Sequence, residues 1–173
     1  DGVQVGRRLS GGAGIYLAPR GQMGAGLVTT NEIFPNIDEA IHRWTGEIIA
    51  EFYRRAGVRD TWYKHPGDIK VGERKLTGTT ATIYRKAIGV LSPINRLTPD
   101  AKFFTDYHIY PSEKLADKKL EDISKYATSI YEEAPQLLSE EEVVGLVVEV
   151  ASEKLEIEFT RCDFSEQERE LIE

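Results

Sequence analysis

Lys75 is the residue of this chain best placed to do chemistry, because of what stands on either side of it. The run Asp68-Ile69-Lys70-Val71-Gly72-Glu73-Arg74-Lys75-Leu76-Thr77-Gly78-Thr79-Thr80 reads as a tight hairpin. Residues 69–71 and 75–77 are extended, and Gly72-Glu73 is a two-residue link with glycine first, as a type II′ turn requires. Behind the lysine, Thr77-Gly78-Thr79-Thr80 offers backbone N–H groups and hydroxyls with little side-chain bulk, which suits close approach of a phosphate or carboxylate. An ammonium beside such donors makes an anion pocket.

A second stretch joins it. In Gly6-Arg7-Arg8-Leu9-Ser10-Gly11-Gly12-Ala13-Gly14-Ile15-Tyr16, two arginines precede a glycine-rich turn flanked by apolar-rich segments at 3–5 and 15–17. The pattern Arg-Arg-x-Ser-Gly-Gly, then after a helix Asp-Ile-x-Val and Lys-x-x-Gly-Thr, resembles the biotin and lipoate A/B protein ligase family, and the lipoate protein ligases most closely. That resemblance implies an α+β fold, a mixed or antiparallel sheet flanked by helices, like the class II aminoacyl-tRNA synthetases and biotin ligases. It also implies a reaction: lipoate is activated by ATP and Mg²⁺ to lipoyl-AMP, and the acyl group then passes to a lysine of a lipoyl carrier domain. The carrier would be a 2-oxoacid dehydrogenase E2 subunit or the glycine cleavage H protein. By the same resemblance Lys75 is the catalytic lysine and Asp68 the acidic residue heading its hairpin, a candidate magnesium ligand. Arg8, Ser10, Gly11 and Gly12 form the substrate-pocket loop, while Gly78 and Thr79 belong to the nucleotide and substrate site.

The chain departs from the family pattern in three places. Ala13, Gly14, Ile15, Tyr16, Leu17 and Ala18 stand where the family has a third glycine and an Ala-Val-Tyr-His-Asp run. Ala87-Ile88-Gly89-Val90-Leu91 lacks the histidine of the family's His-Gly-Thr-Leu-Leu strand. The family also carries a sizeable portion ahead of the double arginine, whereas this sequence begins at Asp1. Residues 1–173 are therefore expected to be a single, N-terminally incomplete catalytic domain, a second chain being one source of the missing strands. Two alternatives stay open: a non-catalytic or partner-dependent subunit of the same fold, and an ATP-independent octanoyl or lipoyl transferase. Biotin in place of lipoate is a third variant of the acyl group.

The elements that must hold these residues are visible in the patterning. Ile41, Trp44, Ile48, Ile49 and Phe52 recur at helical spacing over 38–56, with Asn36 or Asp38 as cap and Gly57 as stop. Residues 80–94 read as one or two strands around the polar Arg85-Lys86 pair. From Ser112 onward the pattern turns helical. Ser139 with Glu142 forms a capping box ahead of 143–155, and Ser165 with Glu168 repeats it. Trp44, Trp62 and the Phe103-Phe104 pair read as packing residues.

Composition narrows the function classes. A net charge of −7 and a pI near 5.1 argue against a nucleic-acid surface, which needs clustered Lys and Arg. A single cysteine, Cys162, rules out an internal disulfide and a multi-cysteine metal site and fits a reducing, cytoplasmic compartment. No apolar run reaches the roughly 18 residues of a membrane span. His42, His65 and His108 show no paired ligand spacing. Each site residue also has a plain structural reading: Lys75 as a solvated strand residue, Asp68 as a turn cap after Pro66-Gly67, and the Arg7-to-Gly12 run as a basic strand end and turn.

Overall fold

The computed structural model describes residues 4–8, 10–11, 15, 17–98 and 126–172, and within them six strands form two antiparallel three-stranded sheets. In the first sheet, β1 (Gln22–Thr30) pairs with β6 (Ala87–Asn95), which pairs on its other side with β5 (Thr80–Tyr84). Met23, Ala25 and Leu27 of β1 pack against the core while Gly24, Gly26 and Val28 face out, the alternation of a one-sided sheet. The second sheet runs β2 (Thr61–Lys64), β3 (Asp68–Val71), β4 (Arg74–Gly78). Its β3–β4 link is the expected Gly72-Glu73 turn, with Gly72 at φ +52°. The one or two strands expected over 80–94 are the two strands of a hairpin, joined by Arg85-Lys86 with Arg85 at φ +55°.

The helix expected over 38–56 runs from 37 to 55 in three registers: α1 (Ile37–Ile41), a π-helical segment (His42–Ile49) and α2 (Ala50–Arg55). Asn36 caps it, its side-chain oxygen accepting from the Glu39 N–H at 2.8 Å, and Gly57 ends it at φ +89°. Trp44, Thr45, Ile48 and Ile49 all point into the core. Further on come α3 (Ile130–Glu133), α4 (Glu140–Leu155) and α5 (Glu166–Ile172). Both expected capping boxes are present: Ser139 N–H donates to Glu142 at 2.7 Å and Ser165 N–H to Glu168 at 2.8 Å. Val143, Val150 and Ala151 bury one face of α4. Phe103, Phe104, His108 and the helical turn expected from Ser112 to residue 125 lie outside the described residues. Val5, Ile15 and Leu17 are exposed and belong to no strand.

Arg55 joins α2 to α4 through Glu149 at 2.8 Å and Glu153 at 2.5 Å, besides Glu51 on its own helix. Hydrogen bonding from Arg55 is the main reason Glu51 and Glu153 ionise below their usual range. A depressed carboxylate contributes stability above its unfolded pKa and loses it as pH falls through the folded value. The urea midpoint is therefore expected to hold from about pH 6 down to about 4.5 and then drop, with a shallower drop in Glu153→Gln. An unchanged slope in that variant sinks the assignment.

Arg96 is a buried cation that ties distant segments together. Its Nε and Nη2 donate to Leu138 O at 3.0 and 2.8 Å, and Nη1 donates to Arg20 O at 3.0 Å. Arg96→Met leaves the Leu138 carbonyl without its partner, so a loss of about 2–3 kcal/mol is expected in chemical denaturation. Glu140, mostly exposed and 3.4 Å from Nη1, contributes little. Glu140→Gln is expected to move stability by less than about 0.5 kcal/mol.

Candidate functional site

A bulge in β4 builds the site. Val71 pairs with Arg74 and Lys70 with Lys75, then the register shifts, and Ile69 pairs with Thr77 and Asp68 with Gly78. Leu76 is the extra residue. It and Thr77 both turn into the core, which leaves Lys75 and Gly78 on the outer face with Lys70 and Asp68. The bulged Leu76 carbonyl is satisfied across the molecule by Asn95 Nδ2 at 2.6 Å, and the Thr77 hydroxyl donates to Pro93 O. These two bonds hold β4 of the second sheet against β6 of the first.

On that outer face Asp68 stands opposite a residue with no side chain, and Lys75 fills the vacancy. Lys75 Nζ lies 2.6 Å from Asp68 Oδ1. It passes so close over Gly78 that a Cβ there would stand 2.5 Å from Nζ. Lys70, directly across from Lys75, sends its own ammonium elsewhere, to Glu73 at 3.3 Å and over the Trp62 ring at 5.4 Å. Main-chain bonds grip Lys75 from its other side: its N–H donates to Tyr126 O at 2.7 Å and its carbonyl accepts from Thr128 N–H at 3.0 Å. The main chain of Lys75 is thus bonded on both sides, and its side chain is nearly half exposed.

The arginine–serine loop reaches the same region. Thr80 Oγ1 donates to Ser10 Oγ at 2.8 Å, two residues beyond Gly78. Arg8 folds back on the loop, with Nε and Nη2 donating to Gly11 O at 3.3 and 2.9 Å. The structure thus brings Asp68, Lys75 and Gly78 into mutual contact and ties Ser10 to the strand that follows; Gly12 lies outside the described residues. The Thr79 hydroxyl is engaged inward, 2.6 Å from Thr45 Oγ1 and 2.7 Å from Ser92 Oγ. Thr45, Ser92, Asn95 and Tyr126 shape the site and were not singled out from the sequence, where each is an ordinary residue of a helix, strand or loop. Among the described residues no group of three or more His, Cys, Asp or Glu side chains could hold a metal ion. An apolar cleft of about 190 Å³ between β1 and α4, lined by Met23, Ile94, Val143 and Val147, includes none of the site residues. The contacts among Asp68, Lys75 and Gly78 lie where β4 of the second sheet leads into β5 of the first.

Residues 1–152 match the model of the lipoyl protein ligase A/B catalytic domain. The chain belongs to this family. No curated protein matches it in sequence. Among solved structures, the lipoyl ligase fold is shared with a bipartite lipoate protein ligase of Thermoplasma acidophilum, solved as part of an archaeal lipoylation system with its E2 lipoyl domain. The identity is 21%, the TM-score 0.78, and the match covers 95% of this chain and 63% of that one. A lipoate-protein ligase A bound with ATP matches at 19% identity and TM-score 0.74, over 98% of this chain and 66% of its own. A Thermoplasma acidophilum protein with bound lipoic acid matches at 17% identity and TM-score 0.63, over 87% and 58%. At these identities the likeness establishes the α+β fold. The chain spans less than two thirds of each of these structures. No helix among the described residues is long and apolar enough to cross a membrane.

Proposed function

We propose that this lipoyl ligase family member activates lipoate, or a related acyl acid, with ATP, and transfers the acyl group to a lysine of a lipoyl carrier domain. Residues 1–173 act as its catalytic unit, with Lys75 as the catalytic residue. The observation that carries this reading is the Lys75 ammonium, held on Asp68 at 2.6 Å over a glycine. It lies beside the strand start that fixes the Ser10 loop. That lipoyl ligase structures of this fold hold ATP in one case and lipoic acid in another supports the choice of ligands.

In the first step the acid's carboxylate oxygen attacks the α-phosphorus of ATP. An O–P bond forms, the bond to the bridging oxygen of the β-phosphate breaks, and pyrophosphate leaves. In the second, the carrier's lysine amine attacks the acyl carbonyl, an amide forms, the amine loses a proton and AMP departs. Neither step needs a nucleophile from the protein. Both develop negative charge on oxygens, and Lys75 supplies a fixed positive charge there. Arg8 adds a planar fork suited to phosphate or carboxylate. Gly11 keeps the approach clear of side chains, and Gly78 admits the Lys75 ammonium.

Asp68 has one oxygen taken by Lys75, which leaves the other for a cation. That single donor fits a magnesium ion carried mainly by the phosphates of ATP, which would neutralise phosphate charge there. The carrier is a domain of the E2 or H-protein kind, and the setting is cytoplasmic.

The test is to incubate the chain with lipoate, ATP, magnesium and an apo carrier domain and to read the carrier's intact mass. A lipoyl mass increase that needs ATP is expected. An increase only from a pre-acylated donor, without ATP, would replace the ligase with a transferase, and no increase in any arm overturns both.

A further inference from the structure

The chain crosses from one sheet to the other through a single residue. β4 ends at Gly78 in the second sheet and β5 begins at Thr80 in the first, so Thr79 alone makes the passage. Its neighbours carry the site contacts, Gly78 with Lys75 and Thr80 with Ser10. Its N–H donates to Gly67 O at 2.7 Å, the residue before Asp68. What Thr79 does in the interior therefore bears on the acid, the lysine and the loop together.

Its half-buried side chain joins a hydroxyl chain that runs into the core. Thr45 Oγ1 donates to Thr79 Oγ1 at 2.6 Å, and Thr79 Oγ1 lies 2.7 Å from Ser92 Oγ. Ser92 also accepts the Trp44 indole N–H at 3.0 Å. Thr45 and Ser92 are wholly buried and Trp44 nearly so. Thr45 stands on the buried face of its helix together with Trp44, Ile48 and Ile49. Apolar side chains of the same shape would fill the space, but dispersion does not favour one rotamer as a directed O–H bond does. Satisfied buried polar networks rigidify and specify a core in that way.

We propose that Thr45, Thr79 and Ser92 are positioning residues for the reaction. Their hydroxyl chain fixes the angle at which the second sheet leaves the first, and so sets Lys75 and Asp68 against the loop that Thr80 holds. This rests on the ligase reading. Thr79 acts through Gly78 and Thr80 and makes no contact with substrate.

The experiment measures lipoate-dependent ATP–pyrophosphate exchange for the chain and for Thr79→Val, Thr79→Ser and Thr45→Val, with amide ¹H–¹⁵N spectra of each without ligand. Misplaced reacting groups lower kcat while binding contacts persist, so Thr79→Val is expected to lose roughly tenfold in kcat with KM for lipoate and ATP within about twofold. Thr79→Ser, which keeps the hydroxyl, is expected to recover kcat to within about twofold of the parent. Thr45→Val, 34 residues from Thr79, is expected to shift the Lys75, Gly78 and Gly11 amide resonances. A rise in KM with kcat intact would assign the Thr79 hydroxyl to the substrate and overturn the proposal, as would unmoved Lys75, Gly78 and Gly11 resonances in Thr45→Val. Should the parent chain show no exchange, the ligase reading fails, and the amide spectra still decide the hydroxyl chain. If Thr79→Val does not fold, Thr45→Val carries both readouts.

Discussion

Lys75→Ala is expected to cut ATP-dependent acyl transfer by about 10²–10³-fold in kcat, the effect of removing one preorganised donor from developing oxyanion charge, worth about 2.7–4 kcal/mol. The fold is expected to survive. The Lys75 and Asp68 side chains are 45% and 36% exposed, so their ion pair is screened by water, and its loss costs less than about 1 kcal/mol. Thermal unfolding by circular dichroism together with transfer kinetics separates the two effects. Lys75→Arg is expected to remain impaired, because the planar guanidinium is wider than the ammonium that Gly78 admits. The reading of Lys75 as the catalytic charge is untenable if Lys75→Ala keeps parental kcat.

The hairpin that carries Lys75 and Asp68 was legible in the sequence because its geometry is local. A glycine-first two-residue link dictates which residues face one another, and the turn forms where it is expected, with Gly72 at φ +52°. The same holds for the long helix, whose apolar spacing, cap and glycine stop lie within one stretch of chain. The capping boxes at Ser139 and Ser165 span four residues each and form as expected.

What stayed hidden depends on partners far away in sequence. Asn95 donates to Leu76 O, 19 residues away, and Thr45 to Thr79, 34 residues away. No periodicity announces either bond. β1 was missed because Gly24 and Gly26 lower its strand propensity, and its alternation becomes meaningful only once β6 lies beside it. The bulge at Leu76 is a matter of register, which the β3 partner and the Asn95 side chain together decide. The π-helical segment has no signature in the spacing of Ile41, Trp44, Ile48, Ile49 and Phe52, which a regular helix satisfies.

The glycine over which the lysine lies offers a sharper test than the lysine itself. A Cβ at Gly78 would stand 2.5 Å from Lys75 Nζ, 2.8 Å from its Cε and 2.9 Å from Asp68 Oδ1. All three atoms belong to the ends of side chains, so an alanine there displaces the ion pair and leaves the backbone in place. Gly78 is not among the glycines held at positive φ, so alanine meets no backbone strain. Gly78→Ala is therefore expected to fold like the parent while losing about 10²-fold in kcat, the scale on which a misplacement of about 1 Å acts. Were Gly78 merely a strand-end residue, the substitution would leave kcat alone. A double variant makes the distinction stricter: on a Lys75→Ala background the alanine at 78 has nothing left to displace, so it is expected to add almost no further loss. Independent, additive losses would mean that Gly78 serves the ligand directly. Full activity in Gly78→Ala would mean that the ammonium does its work from some other position, and the pairing with Asp68 would cease to explain the site.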